Sequence, residues 1–263
     1  MSWEFAIDPV VMTLLMSIRL LAMLQTAPMF REQGVPVRIR TLLALVLAYM
    51  IGPGGSDSLS GEALDWRAWG ILEVAGVVFV EASIGIIIGL TTYFVFIGFW
   101  MMGDFISTQG GLSAARVVDP SSGVSSTALA QAFNGIGMLV FLALDGHHQL
   151  IHLVALSFNE MPIGTAEVDT GAYLAFAQSA SVMFEIAVRL SAPITVAIFI
   201  QNIATGVLSK SLQQLNLMVV QLPAHIGLLL LILGMGAGDF VHAIKDVLET
   251  SPGRVMAVVL GAA

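Results

Sequence analysis

The chain of 263 residues has no cysteine. Disulfides, thiolate metal sites and a cysteine nucleophile are therefore excluded. Charge is scarce as well. The 18 acidic and 10 basic side chains amount to 11% of the residues, against about 25% in a soluble domain. No basic patch exists beyond Arg31, Arg38 and Arg40, which is too little for a nucleic-acid interface. A nucleophile elbow, a P-loop and a dinucleotide fingerprint are all missing. No period-2 alternation persists, which argues against a β-barrel.

What remains is apolar. Hydrophobic residues make up 57% of the chain and the mean hydropathy is +0.91, a membrane-class composition. The N-terminus opens Met1-Ser2-Trp3-Glu4, with Asp8 following and the first arginine, Arg19, inside an apolar run. A secretory signal has the opposite order of charge, so this first segment is expected to stay in the mature protein. Apolar segments run over Val10–Phe30, Ile39–Ile51, Gly70–Gly103, Ala128–Leu144 with a continuation at Leu150–Phe158, Gly171–Gly206 and Leu215–Ala237, followed by a short amphipathic tail. A bilayer core of about 30 Å takes about 20 helical residues. The Gly70 segment overshoots one span and the Ile39 segment undershoots it. Such lengths suit long, kinked or staggered helices packed on other protein.

Proline supports an all-α membrane-type fold. Pro28, Pro36, Pro53, Pro120 and Pro162 fall between segments, while Pro193 and Pro223 fall inside them and predict kinks. Gly85-x-x-x-Gly89 and Gly234-x-x-x-Gly238 have the spacing of close helix–helix contacts, which Gly-rich apolar sequence also produces by chance. Arg31, Arg38 and Arg40 share a short connection and put it on the cytoplasmic side. Glu4, Asp8 and the Asp57–Asp65 loop then lie on the outer side.

Arg19, Glu73, Glu81, Glu185 and Arg189 interrupt apolar runs, where a charge needs a partner or water. Glu185 and Arg189 are four apart and are expected to form a structural ion pair along one helix face. A proton relay there is disfavoured, since no chain of carboxylates and histidines surrounds them. His148 and His152 have metal-ligand spacing, with His147 adjacent. A third ligand and a HExxH pattern are lacking, so a polar helix start beside Asp145-Gly146 is preferred and no metal or cofactor is expected. Among the 14 methionines, Met101 and Met102 precede a polar loop. They read as ordinary packing or as a compliant constriction beside a passage.

That loop is the most telling stretch. Asp104-Phe105-Ile106-Ser107-Thr108-Gln109-Gly110-Gly111-Leu112-Ser113 runs on to Val118-Asp119-Pro120-Ser121-Ser122-Gly123. Polar, irregular backbone near a bilayer is tolerated only when buried in protein or lining a water-filled passage. It is the first candidate for the working part of the molecule.

Separated segments together resemble the FliR/SctT family of type III secretion export-gate proteins. They are Arg19 with Thr26-Ala27-Pro28-Met29-Phe30 and Val35-Pro36-Val37-Arg38-Ile39-Arg40, then Glu81 through Gly89 and Gly103-Asp104-Phe105-Ile106-Ser107 with Gln109 and Gly111-Leu112-Ser113. Asp119-Pro120, Asp145-Gly146-His147, Ser157-Phe158 and Pro162 come next, then Arg189, Pro193, Asn202, Gly206 and Gln214-Leu215-Asn216, in preserved order over nearly the whole chain.

The resemblance implies a non-enzymatic subunit without a cofactor, working in a channel that passes unfolded flagellar proteins across the bacterial inner membrane. One copy is expected to join FliP and FliQ, with FlhB and FlhA nearby, membrane lipid around the assembly and much of it on the periplasmic side. It implies a FliP-like part over residues 1–170 and a FliQ-like helical hairpin with a C-terminal tail over 171–263, Lys210 lying near the hairpin tip. It also implies a pore plug at about 107–123, to which Ser107, Gln109, Gly110, Gly111, Leu112, Ser113, Arg116, Asp119 and Pro120 belong. Two departures stand out. Ala114-Ala115-Arg116 follows Gly-Leu-Ser where the family tends to carry an aromatic, and Gln213 stands where a proline usually precedes Gln-Leu-Asn. Injectisome duty is the alternative within the family. A secondary transporter of small solutes coupled through Glu73, Glu81 or Glu185 is the rival outside it, although no internal repeat is visible.

Overall fold

The structure, a computed structural model, describes residues 4–32, 35–52, 69–110, 128–164, 170–211 and 217–259. All regular structure among them is helical: α1 (Glu4–Thr26), α2 (Pro28–Glu32), α3 (Val37–Ile51), α4 (Ile71–Gln109), α5 (Ala128–Ala143), α6 (Gly146–Glu160), α7 (Thr170–Ser179), α8 (Ser181–Ser211) and α9 (Leu217–Val259). Pro28 opens α2 and Pro36 precedes α3, both at positions where a missing N–H costs nothing. The start of α4 is closed by Glu73, whose Oε2 accepts from the Gly70 N–H at 2.8 Å, the reciprocal half of a capping box. Glu73 thus has a local structural use.

One boundary differs from the sequence expectation. The Gly171–Gly206 run is divided into α7 and α8 by a turn at Ala180. The final run bends by 66° at its expected end, between Pro223–Gly236 and Gly238–Val255, and the tail continues as helix to Val259. Among the described residues, three helical stretches are long and apolar enough to cross a membrane, Pro9–Thr26, Ile71–Gln109 and Gly171–Leu208, and up to five if the bent pairs Ala128–Ala143 with Gly146–Glu160 and Pro223–Gly236 with Gly238–Val255 each count as one.

Packing divides the chain into two compact units. The first comprises Met1–Phe94, Asp145–Ala180 and Thr250–Ala263. Its core is a stripe on α1, where Met16, Leu20, Met23 and Leu24 are fully buried at helical spacing, with Ala27 buried just after it. Helix α3 lies against α1 and contributes Ala44 and Ala48. The first part of α4 approaches α1 through glycines. A Cβ at Gly85 would overlap the Arg19 carbonyl and Ala22, and one at Gly89 would overlap Thr26 and the Met23 carbonyl. The Gly85/Gly89 spacing is therefore a true close-approach motif. Phe94 stacks on Phe176 of α7 at 5.6 Å between centroids.

The second unit comprises Val95–Leu144 and Ser181–Glu249. Aromatic rings organise it. Phe96 meets Phe99 and Phe141 edge-on, at 6.1 and 5.4 Å, and Phe133 of α5 meets Phe240 of α9 at 5.9 Å. Gly137 sits on the Phe99 ring, Gly98 on Ile186 of α8, and Gly103 on the backbone of Ala130. Gly234 and Gly238 have nothing within 4 Å of an added Cβ, so their spacing has no such role among the described residues.

The contrast between glycines of α4 is testable. Gly85→Leu is expected to destabilise the purified protein by about 1–3 kcal/mol or more through overpacking, whereas Gly76→Ala, at an open position, gains about 0.5–1 kcal/mol. Melting of the two variants in mild detergent checks this. Equal behaviour would show that the α1–α4 contact is not close.

Candidate functional site

The end of α4 is where the sequence placed its working loop, and here the structure corrects the loop's start. Residues 104–109 are helical, and Gly110 closes the last turn through its N–H to the Ile106 carbonyl at 2.9 Å. The reason is periodic. Met102, Gly103, Ile106, Ser107 and Gly110 are all buried and fall on one helical face, so packing continues the helix past the polar residues. Gln109 and Thr108 are exposed on the other side. Met102 is fully buried, and Met101 is half-buried. The Ser107 hydroxyl is buried and lacks a hydrogen-bond partner. Of the expected plug residues, Gly111, Leu112, Ser113, Arg116, Asp119 and Pro120 lie outside the described residues.

The other candidate charges separate into two kinds. Arg19 and Glu81 are both fully buried and pair with each other, Nε donating to Oε2 at 2.8 Å. The remaining Arg19 donors are also engaged. Nη1 donates to the Ser157 hydroxyl at 2.9 Å and Nη2 to the Met161 carbonyl at 3.0 Å. The guanidinium carbon lies 4.2 Å from the centre of the Phe158 ring, a cation–π contact. Ser157 in turn donates to the Val154 carbonyl at 2.7 Å. One charge from α1, one from α4 and a cradle from α6 and the turn after it make a single buried centre. Local spacing gives no sign of this partnership. The only sequence signals were two opposite charges stranded in apolar runs and the Ser157-Phe158 dipeptide.

Glu185 and Arg189 behave otherwise. Both are exposed on α8, and no ion pair joins them among the described residues. Four-residue spacing brings two side chains within reach but does not oblige them to pair. Their neighbours Phe184, Val188, Val196, Phe199, Ile200 and Ile203 are exposed by half or more. The charges therefore interrupt a bare apolar surface.

Two polar clusters lie elsewhere. Asn202 of α8 accepts at Oδ1 from Gln221 Nε2 at 2.9 Å and lies 2.9 Å from His225 Nε2, both on α9. These contacts tie α8 to α9 inside the second unit. At the start of α6, Asp145 and His148 are 3.2 Å apart, and Asp145 has a left-handed backbone with φ 55°. The polar helix start expected beside Asp145-Gly146 is present.

A family model described as "Bacterial export proteins, family 1" matches residues 10–251. The chain is 32% identical over 206 residues to the flagellar biosynthetic protein FliR of Escherichia coli K12, covering 78% of this chain and 76% of that protein. It is 32% identical over 217 residues to the flagellar biosynthetic protein FliR of Bacillus subtilis 168, covering 81% of each. The protein of the same name from Pectobacterium carotovorum is 30% identical over 220 residues, covering 83% of this chain and 81% of the relative.

Arg19→Ala would leave the Glu81 carboxylate buried without its partner and is expected to destabilise the protein by about 3–5 kcal/mol. The double variant Arg19→Met, Glu81→Leu removes both charges and is expected to be clearly more stable than the single one. Folded yield and melting in detergent measure the difference. A double variant as poor as the sum of its singles would show that the pair is not coupled.

Proposed function

The chain belongs to the bacterial export proteins, family 1, and from that premise we propose that it is a non-catalytic subunit of the flagellar type III export gate in the bacterial inner membrane. The gate passes unfolded flagellar proteins, and energy comes from other subunits. One copy of this chain assembles with FliP and FliQ, with FlhB and FlhA adjacent. Residues 1–170 form a FliP-like part, and 171–263 a FliQ-like hairpin in which the Asn202 contacts hold α8 against α9. This division follows lineage and cuts across the compact units described by packing.

The supporting observation is the exposed face of α8. It lies in a stretch apolar enough to span a membrane, yet it carries Glu185 and Arg189 exposed among bare Phe, Val and Ile. Hydrocarbon is a poor cover for two such charges, because an ionised side chain in lipid needs a partner or water. A neighbouring protein helix with complementary groups meets both demands. The length of α4 supports placement partly beyond the bilayer. Its 39 residues extend about 58 Å at a rise of about 1.5 Å per residue, nearly twice the ~30 Å hydrocarbon thickness. A tilt large enough to fit it lies beyond the usual range of about 0–40°. Assembly with much of the gate on the periplasmic side accommodates that helix without such a tilt.

The plug is proposed for residues 107–123. Ser107 and Gly110 are its anchored end, and Gly111, Leu112, Ser113, Arg116, Asp119 and Pro120 form the part beyond the helix. Met101 and Met102 stand one to two turns before it, at the mouth of the proposed constriction.

Assembly is tested by native mass spectrometry of the chain co-expressed with its genomic neighbours and purified in mild detergent. One copy inside a larger hetero-oligomer is expected. A stable monomer or homodimer would overturn the gate and favour a transporter. In the same assay Glu185→Lys is expected to reduce recovery of the complex several-fold while the isolated chain melts as before. For the plug, shortening Gly110–Gly123 is expected to make the membrane leak ions while export of flagellar protein persists. Unchanged ion conductance with intact assembly would remove the plug assignment.

A further inference from the structure

The sequence offered His148 and His152 as a metal pair, but the structure gathers a different set. Asp145, His147 and His148 each present a ligand atom, and these atoms lie within 4.8 Å of one another. The turn before α6 makes this possible. Asp145 adopts φ 55°, a region that non-glycine residues visit rarely, and its carbonyl accepts the His148 and Gln149 N–H groups at 2.9 and 3.1 Å. Its carboxylate is thereby folded back over the first turn of the helix. The two imidazoles lie with ring centres 4.0 Å apart and planes tilted by 36°.

A second observation concerns His147 itself. It is half-buried, and its Nδ1 is closed off from solvent with no hydrogen-bond partner. Buried polar atoms are nearly always partnered, and an orphan calls for an explanation. Two tilted imidazoles beside a carboxylate, one of them with an unpaired nitrogen, form a poor hydrogen-bonded cluster and a good donor set.

We propose that Asp145, His147 and His148 bind one borderline divalent cation of the zinc class. The donors decide the class. Two imidazole nitrogens and one carboxylate oxygen suit zinc or its transition-metal neighbours, whereas calcium and magnesium take oxygen shells. Side chains of Asp145 and His148 are about seven-tenths exposed, so the fourth position opens to water or to a neighbouring subunit. The role is structural. A cation here clamps the turn that starts α6, and α6 delivers Ser157 and Phe158 to Arg19. Clamping the first turn therefore stiffens the helix that cradles the buried guanidinium.

The test uses the full-length chain without an affinity tag, in mild detergent, titrated with Zn2+ alone and with Co2+ as a spectroscopic probe. One equivalent of Zn2+ is expected to bind and to raise the melting temperature in a concentration-dependent way. Co2+ is expected to give the absorption of a low-coordinate site with nitrogen ligands. His147→Ala and His148→Ala each should weaken binding by roughly tenfold or more, and Asp145→Asn should weaken it as well. Asp145 and His148 are largely exposed, so their variants retain the fold, and melting without metal reports the fold of each variant, His147→Ala included. Exposed His152 is the control, and His152→Ala is expected to bind normally. Absence of stoichiometric binding, or binding lost with His152→Ala and kept in His147→Ala, would overturn the site. Because this readout needs no partner subunit, its failure is independent of the outcome for the export gate.

Discussion

The guanidinium of Arg19 has no water to turn to, and the first compact unit is organised around that fact. All its contacts come from elsewhere in the chain: Glu81 of α4, Ser157 and Phe158 of α6, and the carbonyl of Met161. A planar fork of donors admits few arrangements of acceptors, so satisfying it fixes the rotation of three helices at once. The glycines complete the constraint. Glu81, Gly85 and Gly89 recur every four residues on one face of α4, and Gly85 and Gly89 let its backbone lie on α1 next to Arg19 and Thr26. Thr26 keeps its own hydroxyl bonded to the Ala22 and Met23 carbonyls. Close approach and charge pairing thus depend on each other. A larger residue at position 85 would move the helices apart, and the carboxylate would lose its reach.

Charge elsewhere follows the opposite rule. Arg40 is bonded to the Val35 carbonyl and to Gln25, and Arg31 lies over the Tyr93 ring at 4.9 Å. The connections near α2 and α3 therefore consume two of the three arginines that set the expected orientation. Glu185 and Arg189 face outward, and they stand on an apolar surface. One chain thus carries a charge pair closed on itself and another pair available to a neighbour. The closed pair specifies the fold, and the open pair, in the proposed gate, specifies what packs beside it. Such division suits a subunit more than a self-sufficient transporter, whose coupling carboxylates must face a cavity. Here Glu73 caps a helix, Glu81 is held by arginine, and Glu185 points away from the protein.

Those features that depend on local periodicity were legible in the sequence. The start of α4, the short α3, the polar break at Asp145-Gly146 and the prolines at helix starts all reflect runs and breakers within a few residues. What escaped was of two sorts. The extension of α4 through residues 104–109 was hidden because polar side chains outnumber apolar ones there, although Met102, Ile106 and Gly110 keep the helical period. The Arg19–Glu81 partnership, separated by 62 positions, was hidden because nothing local encodes it. Conversely, the four-residue spacing of Glu185 and Arg189 pointed to a pair that is not formed among the described residues. Spacing states only what can touch; burial decides whether touching is worth more than water or a partner.

The same distinction bears on the proposed plug. A segment that seals a pore and then yields must be attached to something that does not yield. The buried face formed by Met102, Gly103, Ile106, Ser107 and Gly110 supplies the fixed end, since Gly103 lies against the backbone of Ala130 and Met102 and Ile106 have no exposed surface. Moving any of these residues would uncover apolar area and break a helical hydrogen bond. Gly110-Gly111 is also where the backbone can change direction with least steric penalty. In the proposed gate, the plug would hang from this end of α4, which Gly103 on Ala130 and Phe99 on Gly137 hold in place.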